Sequence, residues 1–158
     1  MIKYLAFEYQ SVFSFLNIFS YITFRTGASI LTGLFFSLIF GNFIINKLSK
    51  IQPSGQPIRD DGPSSHLIAK KGTPTMGGLL IILSVFVSTI LWADLKNIYI
   101  WILILTIFIF GTIGFADDYK KITSNSSNGI SSKIRIFLQI IFSFLITYLI
   151  LLNLDPNI

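Results

Sequence analysis

The sequence predicts an all-α integral membrane protein, and three observations support that fold class. Of the 158 residues, 53% are hydrophobic and only 12% are charged, whereas a soluble domain carries about 25% charged residues. The mean hydropathy is +0.73, and the 16 phenylalanines suit contact with lipid. Four separate stretches also approach the length of about 20 apolar residues that a membrane-spanning helix needs.

Residues 1–25 are predicted to lie in the outward-facing membrane interface. The stretch 4–24 is rich in aromatic residues, but Glu8, Gln10 and Asn17 interrupt it. A helix of this kind buries its aromatic rings at the membrane surface and keeps its polar groups in water. A fifth span over the same stretch is the alternative interpretation.

Four spans and two longer connections are predicted after this segment. The spans cover 26–46, 76–93, 98–116 and 136–154, and the connections cover 47–75 and 117–135. The two connections hold five and four of the twelve Lys and Arg residues. Because basic residues near span ends stay on the cytoplasmic side, both connections are expected to be cytoplasmic.

Two other features of the composition limit the function. The chain has no cysteine, which excludes a disulfide framework and a thiolate metal site. The net charge of +5 could indicate binding to nucleic acid. Because the basic residues cluster beside the predicted spans, however, we expect the partner to be the membrane, with no nucleic acid.

The end of the first connection combines basic residues with signals for a helix start. It reads Lys70-Lys71-Gly72-Thr73-Pro74-Thr75-Met76-Gly77-Gly78. Thr73 suits an N-cap and Pro74 suits the first helical position, so free backbone N–H groups there would attract an anion. The alternative is a basic loop followed by a well-capped helix. The paired glycines disfavour it, since each weakens a helix by about 1 kcal/mol relative to alanine.

Two adjacent acids close the third span. The string is Gly114-Phe115-Ala116-Asp117-Asp118-Tyr119-Lys120-Lys121. Carboxylates near the hydrocarbon boundary are candidates for a functional site, and Mg²⁺ is bound by one or two carboxylates together with water and phosphate. If the helix continues, Lys121 lies one turn from Asp117. The alternative is a solvated helix end with salt bridges, although acids at a helix C-terminus oppose its dipole.

The two motifs are predicted to meet on the cytoplasmic face, because two spans separate them. Acids that hold Mg²⁺ and basic groups that hold phosphate would then converge at the lipid surface, which suits phosphoryl transfer. Lys133 either anchors the topology or reaches a substrate phosphate. The lone His66 is interpreted as a surface side chain of the polar loop.

These strings resemble the phospho-N-acetylmuramoyl-pentapeptide transferases, within the superfamily of polyprenyl-phosphate sugar-1-phosphate transferases. The resemblance extends over essentially the whole chain. The matching segments are Pro57-Ile58-Arg59-Asp60-Asp61-Gly62-Pro63, Lys71-Gly72-Thr73-Pro74-Thr75-Met76-Gly77-Gly78 and Gly114-Phe115-Ala116-Asp117-Asp118-Tyr119.

The resemblance implies a ten-span, Mg²⁺-dependent enzyme of the bacterial inner membrane. Its substrates would be UDP-MurNAc-pentapeptide and undecaprenyl phosphate, and its products would be lipid I and UMP. It also implies that Asp117 and Asp118 are the catalytic acids and candidate Mg²⁺ ligands. The residues expected to contact substrate are Lys70, Thr75, Lys121 and Lys133. A homodimer is among the assemblies that the sequence leaves open.

One departure from the family pattern limits this interpretation. The family pattern includes a third catalytic aspartate and a histidine-rich loop in later spans, whereas this chain ends at Ile158 and contains only His66. We therefore expect the chain to be the N-terminal portion of the enzyme, as a fragment or from a broken gene, and to be inactive alone. The alternatives are another polyprenyl-phosphate N-acetylhexosamine-1-phosphate transferase and a small non-enzymatic membrane protein.

Overall fold

The structure is a computed structural model that describes residues 1–9, 13–52, 55, 74–124 and 129–154. The described part of the chain is helical and contains no strand. Its elements are α1 (Ile2–Tyr9), a 3-10 helix (Ser14–Ser20), α2 (Ile22–Ile51), α3 (Gly78–Trp92), α4 (Ile98–Thr123) and α5 (Ser132–Leu152).

Three of these helices are long and apolar enough to cross a membrane. They are α2, α4 and α5, and they confirm the predicted class of helical membrane protein. The helix α3 is apolar but has only 15 residues, which give a length of about 22 Å. Because the hydrocarbon core is about 30 Å thick, the predicted fourth span and the ten-span bundle stay predictions.

The start of α3 differs from the sequence-based expectation. Pro74 was expected to open this helix, but the helix begins at Gly78, and Thr73 lies outside the described residues. The cause is Met76, whose φ of 71° lies in the left-handed region. A residue in that conformation cannot continue a right-handed helix, so residues 74–77 form a turn in front of α3.

The helices α2 and α3 pack closely along small side chains. On α2, Gly33, Ser37 and Gly41 recur at every fourth position and face α3. The hydroxyl oxygens of Ser37 and Ser84 lie 2.9 Å apart, and a Cβ at Gly41 would lie 3.6 Å from Leu80. Small residues and hydroxyl hydrogen bonds are how membrane helices approach each other. These two helices therefore form the most extensive helix–helix contact among the described elements.

The N-terminal segment is docked on the C-terminal end of α3. Lys3 forms an ion pair with Asp94, and the Tyr4 hydroxyl donates a hydrogen bond to the same carboxylate. The ring of Phe19 stacks on Trp92 with centroids 5.9 Å apart. The described residues within 4–24 form two short helical elements, and α2 already begins at Ile22. Neither of these two elements is long enough to cross a membrane alone, and the interfacial position of the segment stays a prediction.

The helices extend further than the predicted spans at the end where the two acids lie. The helix α4 continues to Thr123, past the predicted boundary at residue 116, and α5 begins at Ser132, before residue 136. Part of the predicted connection 117–135 is thus helical. The spacing of Asp117 and Lys121 explains this, because an acid and a base four residues apart stabilise a helix.

Candidate active site

The two acids and one base of the aspartate motif form a compact charged group on the last turns of α4. The Lys121 Nζ lies 2.6 Å from Asp117 Oδ2 and 3.3 Å from Asp118 Oδ1. One ammonium group therefore bridges both carboxylates and offsets the repulsion between them. The helix brings about this arrangement, because residues three and four positions apart lie on one face.

Asp117 is the buried member of the pair, and only 5% of its surface is exposed. The N–H of Ile130 donates to its Oδ1 at 2.8 Å. Arg135 Nη1 approaches Oδ2 to 3.7 Å, the same oxygen that Lys121 contacts. Both oxygens of Asp117 are therefore occupied by donors of the chain itself, and the carboxylate ties the start of α5 to the end of α4.

Asp118 is more open, with 29% of its side chain exposed. The hydroxyl of Thr75 donates a hydrogen bond of 3.0 Å to its Oδ2. This bond joins the turn in front of α3 to the end of α4, across 43 positions of sequence. The two motifs found in the sequence thus meet through one direct hydrogen bond.

Thr75 is held in turn by Gln52, at the C-terminal end of α2. The N–H of Thr75 donates to Gln52 Oε1 at 2.9 Å. Only 3% of Gln52 is exposed, and its Nε2 has no hydrogen-bond partner in the described part of the chain. A buried polar side chain with an unused donor is unusual, since such a group costs free energy.

An apolar cavity of about 410 Å³ opens beside the two acids. A second cavity of about 510 Å³ adjoins it between α2 and α4. Four residues line both cavities: Met76, Leu79, Leu83 and Phe115. Asp117 and Asp118 lie on the wall of the first cavity, and Lys47 lies on the wall of the second. The charged group is therefore placed beside a continuous apolar surface.

The structure brings four of the predicted site residues together and leaves one apart. Thr75, Asp117, Asp118 and Lys121 form the cluster described above. Lys133 is exposed on the first turn of α5, and among the described residues it forms no ion pair.

Other sequence predictions fall outside the described residues. These are the substrate contact of Lys70, the surface position of His66 and the segment 57–63.

Three residues that adjoin the cluster were not predicted from the sequence. Arg135 was counted only among the basic residues of the connection 117–135. Gln52 was not singled out, nor was Gly129, which lies against the Asp117 side chain. Arg135 carried a signal, because it lies two residues from Lys133 in the same basic pair. Gln52 and Gly129 carried none, since their roles depend on contacts between distant parts of the chain.

The cluster fits a divalent cation at one of its two acids. No group of three metal-ligating side chains occurs in the described ranges, so the protein would supply few ligands. Mg²⁺ is commonly held by one or two carboxylates together with water and substrate phosphates. Asp118 has the exposure that such a ligand needs. Asp117 could bind the cation only after its ion pair with Lys121 or Arg135 is broken.

Comparison with known proteins gives two matches. Residues 70–82 match the description "Phospho-N-acetylmuramoyl-pentapeptide-transferase signature 1". Over 129 residues the chain is 50% identical to a phospho-N-acetylmuramoyl-pentapeptide-transferase of Ruegeria sp. (strain TM1040). That alignment covers 82% of this chain and 36% of the relative, so the chain spans about a third of the relative's length.

Proposed function

We propose that this chain is part of a phospho-N-acetylmuramoyl-pentapeptide transferase. Both matches confirm the resemblance to this family that was predicted from the sequence. The complete enzyme would transfer phospho-N-acetylmuramoyl-pentapeptide from UDP to undecaprenyl phosphate, giving lipid I and UMP. One observation supports this function most directly: the cluster of Thr75, Asp117, Asp118 and Lys121 borders an apolar cavity.

The placement of charge beside apolar surface suits the two proposed substrates. One substrate is a lipid phosphate, which needs an apolar surface for its chain and cations for its head group. The other is a nucleotide sugar, whose diphosphate needs cations as well. Lys121 and Arg135 provide positive charge at the end of α4, and the cavity wall provides apolar contact.

In the proposed reaction, an oxygen of the lipid phosphate attacks the phosphorus atom that carries the sugar. A new P–O bond forms there, the bond to the uridine-bearing phosphate breaks, and UMP leaves with the bonding electron pair. Catalysis of such transfers is mainly positioning and neutralisation of charge. Lys121 and Arg135 would neutralise phosphate oxygens, and Asp117 would hold these two cations in place.

Asp118 is the proposed carboxylate ligand of Mg²⁺. The ion, when bound, would neutralise charge that develops on the diphosphate. The Thr75 hydroxyl donates to Oδ2, so it fixes the direction of the carboxylate while Oδ1 remains exchangeable between Lys121 and a cation. We further propose that this end of the bundle is cytoplasmic and that the membrane is the bacterial inner membrane.

A transfer assay tests this function. The protein to use is a joined protein, in which this chain is fused to the part of the Ruegeria relative that it does not match. Supplied with Mg²⁺, undecaprenyl phosphate and UDP-MurNAc-pentapeptide, the joined protein should release UMP and form a lipid-linked product. Transfer from UDP-N-acetylglucosamine instead would show the alternative transferase, and no transfer from either donor would contradict the enzymatic proposal.

The 158-residue chain alone serves as a second arm of the assay. We expect it to release no UMP, because the side chains of Lys121 and Asp118 are 30% and 29% exposed, and charges in contact with water act in a high dielectric, where they are weak. Robust turnover by the chain alone would show that the rest of the enzyme is dispensable for the reaction.

A further inference from the structure

We infer that Gln52 is a positioning residue of the site, which acts through Thr75 to orient Asp118. This inference rests on the proposed function. It assigns a role to a residue that lies in neither of the two sequence motifs.

A chain of two hydrogen bonds connects Gln52 to the acid. Gln52 Oε1 accepts from the N–H of Thr75 at 2.9 Å, and the Thr75 hydroxyl donates to Asp118 Oδ2 at 3.0 Å. The three residues belong to the end of α2, the turn in front of α3 and the end of α4. The position of the Asp118 carboxylate thus depends on α2, although α2 supplies no charge to the cluster.

The turn between these bonds is strained. Met76 follows Thr75 directly and has a φ of 71°, a conformation that costs a side-chain-bearing residue about 1 kcal/mol or more. Strain of this kind persists only where the surroundings hold it in place. Gln52 holds the backbone of Thr75, and Asp118 holds its side chain. Without Gln52, the turn can relax towards the regular helix start that Pro74 and its neighbours favour, and the Thr75 hydroxyl would move away from Asp118.

The burial of Gln52 separates this role from a purely structural one. The residue also caps α2, but that cap is the bond from its own backbone N–H to the carbonyl of Leu48, which any side chain preserves. The residue is only 3% exposed, in contrast with its exposed neighbour Ile51. Among the described residues its amide contacts the Thr75 N–H alone. The acceptor oxygen therefore accounts for a polar side chain at this position.

The test is a double-mutant cycle in the joined protein. Gln52→Met keeps the length of the side chain and removes the acceptor. It should lower kcat by about 10- to 100-fold, as small displacements of a reacting group do, and change KM by less than about threefold. Thr75→Val removes the hydroxyl, and in its background Gln52→Met should change kcat by less than about twofold, because residues that act in series are not additive.

Two controls make the outcome specific. Gln139→Met introduces the same change on α5, in a pocket lined by neither aspartate, and should leave kcat unchanged. Hydrogen exchange provides a readout without turnover: the amide of Thr75 should lose protection in Gln52→Met, while the amide of Ala93, bonded to the Thr89 carbonyl at 2.8 Å, should keep it.

Three results would overturn the inference while leaving the proposed function intact. They are a normal kcat in Gln52→Met, an undiminished effect of Gln52→Met in the Thr75→Val background, and unchanged exchange at Thr75. If the unsubstituted joined protein transfers nothing, the proposed function fails, and the role of Gln52 fails with it.

Discussion

Asp117 lies directly against Gly129, where a larger residue would require a neighbouring group to move. A Cβ at position 129 would clash with Asp117 Oδ1 and stand 2.9 Å from the Cε of Lys121. Contacts below 3.0 Å force one partner to move. The segment before α5 therefore packs closely on the buried carboxylate, and a side chain at position 129 would shift Asp117, Lys121 or the segment itself.

The first prediction concerns the packing of Asp117 against Gly129. Gly129→Ala should displace either Asp117 or the segment that carries the Ile130 N–H, and transfer by the joined protein should fall by about tenfold or more. The measurement is the rate of UMP release. Gly27→Ala is the matched control, because nothing lies within 4 Å of a Cβ there, and it should retain the normal rate. Equal rates in both variants would show that transfer does not need a glycine at position 129.

The second prediction separates the two acids. Asp118→Asn and Asp117→Asn should each lower transfer by about 100-fold or more, as the loss of a single electrostatic group in an active site does. In Asp118→Asn, the Mg²⁺ concentration that gives half the maximal rate should also rise. In Asp117→Asn it should change little, because this carboxylate holds Lys121 and Arg135. Titration of the rate with Mg²⁺ measures both effects.

Glu8→Gln is the control for these substitutions, since it makes the same chemical change on an exposed residue of α1. Near-normal turnover of both aspartate variants at limiting Mg²⁺ would end the proposal that the pair serves the chemistry.

The third prediction concerns topology, and the lack of cysteine in the chain makes it simple to test. In intact cells, Lys96→Cys should react with a membrane-impermeant thiol reagent, whereas Ser124→Cys should react only after the cells are broken. The reason is the concentration of basic residues at the end where Ser124 lies. Labelling of Ser124→Cys from outside would reverse the orientation and place the cluster on the outer face.

The fourth prediction is a pH dependence at the opposite end of the bundle. Hydrogen bonds from Lys3 first, and then from Tyr4, hold the pKa of Asp94 far below its usual range. Because the pKa is lowered in the folded state, the stabilisation is fully present above the ordinary Asp pKa of about 3.9 and is lost as the pH falls towards the lowered value. The contact of Phe19 with Trp92 should therefore survive to below pH ~4.

Fluorescence of Trp92 can follow that contact, in a Trp101→Phe background that leaves a single tryptophan. Asp94→Asn should show the loosened signal already at neutral pH, since the carboxylate that holds Lys3 is gone. A signal that changes with an apparent pKa near 4 or above would contradict the lowered pKa of Asp94.

The sequence predicted the parts of this molecule that depend on local pattern. Composition and apolar runs are enough to indicate a helical membrane protein, and the spacing of Asp117, Asp118 and Lys121 is enough to place them on one helix face. Counting the spans between the two motifs predicted that they share one membrane face, but it did not predict the hydrogen bond between Thr75 and Asp118.

The parts that escaped prediction depend on packing between distant segments. Thr73 and Pro74 form a good local signal for a helix start, but the left-handed Met76 overrides it. Its neighbour Thr75 is held by hydrogen bonds to Gln52 and Asp118, which come from distant parts of the chain. Gly129 reads as an ordinary flexible turn residue until the carboxylate of Asp117 is seen against it. Arg135 and Lys133 look equivalent as basic residues near a membrane surface, and only the geometry of α5 distinguishes them.

The shortness of α3 has a consequence for the membrane itself. At about 22 Å, this helix is about 8 Å shorter than a typical hydrocarbon core. If α3 crosses the membrane, as the sequence predicts, the mismatch favours local thinning of the bilayer or a position of the turn 74–77 below the head groups. Irregular backbone at that depth must have its polar groups satisfied by protein, and Gln52 does this for Thr75. Either response brings the charged cluster and the phosphate of a lipid in the same leaflet closer together.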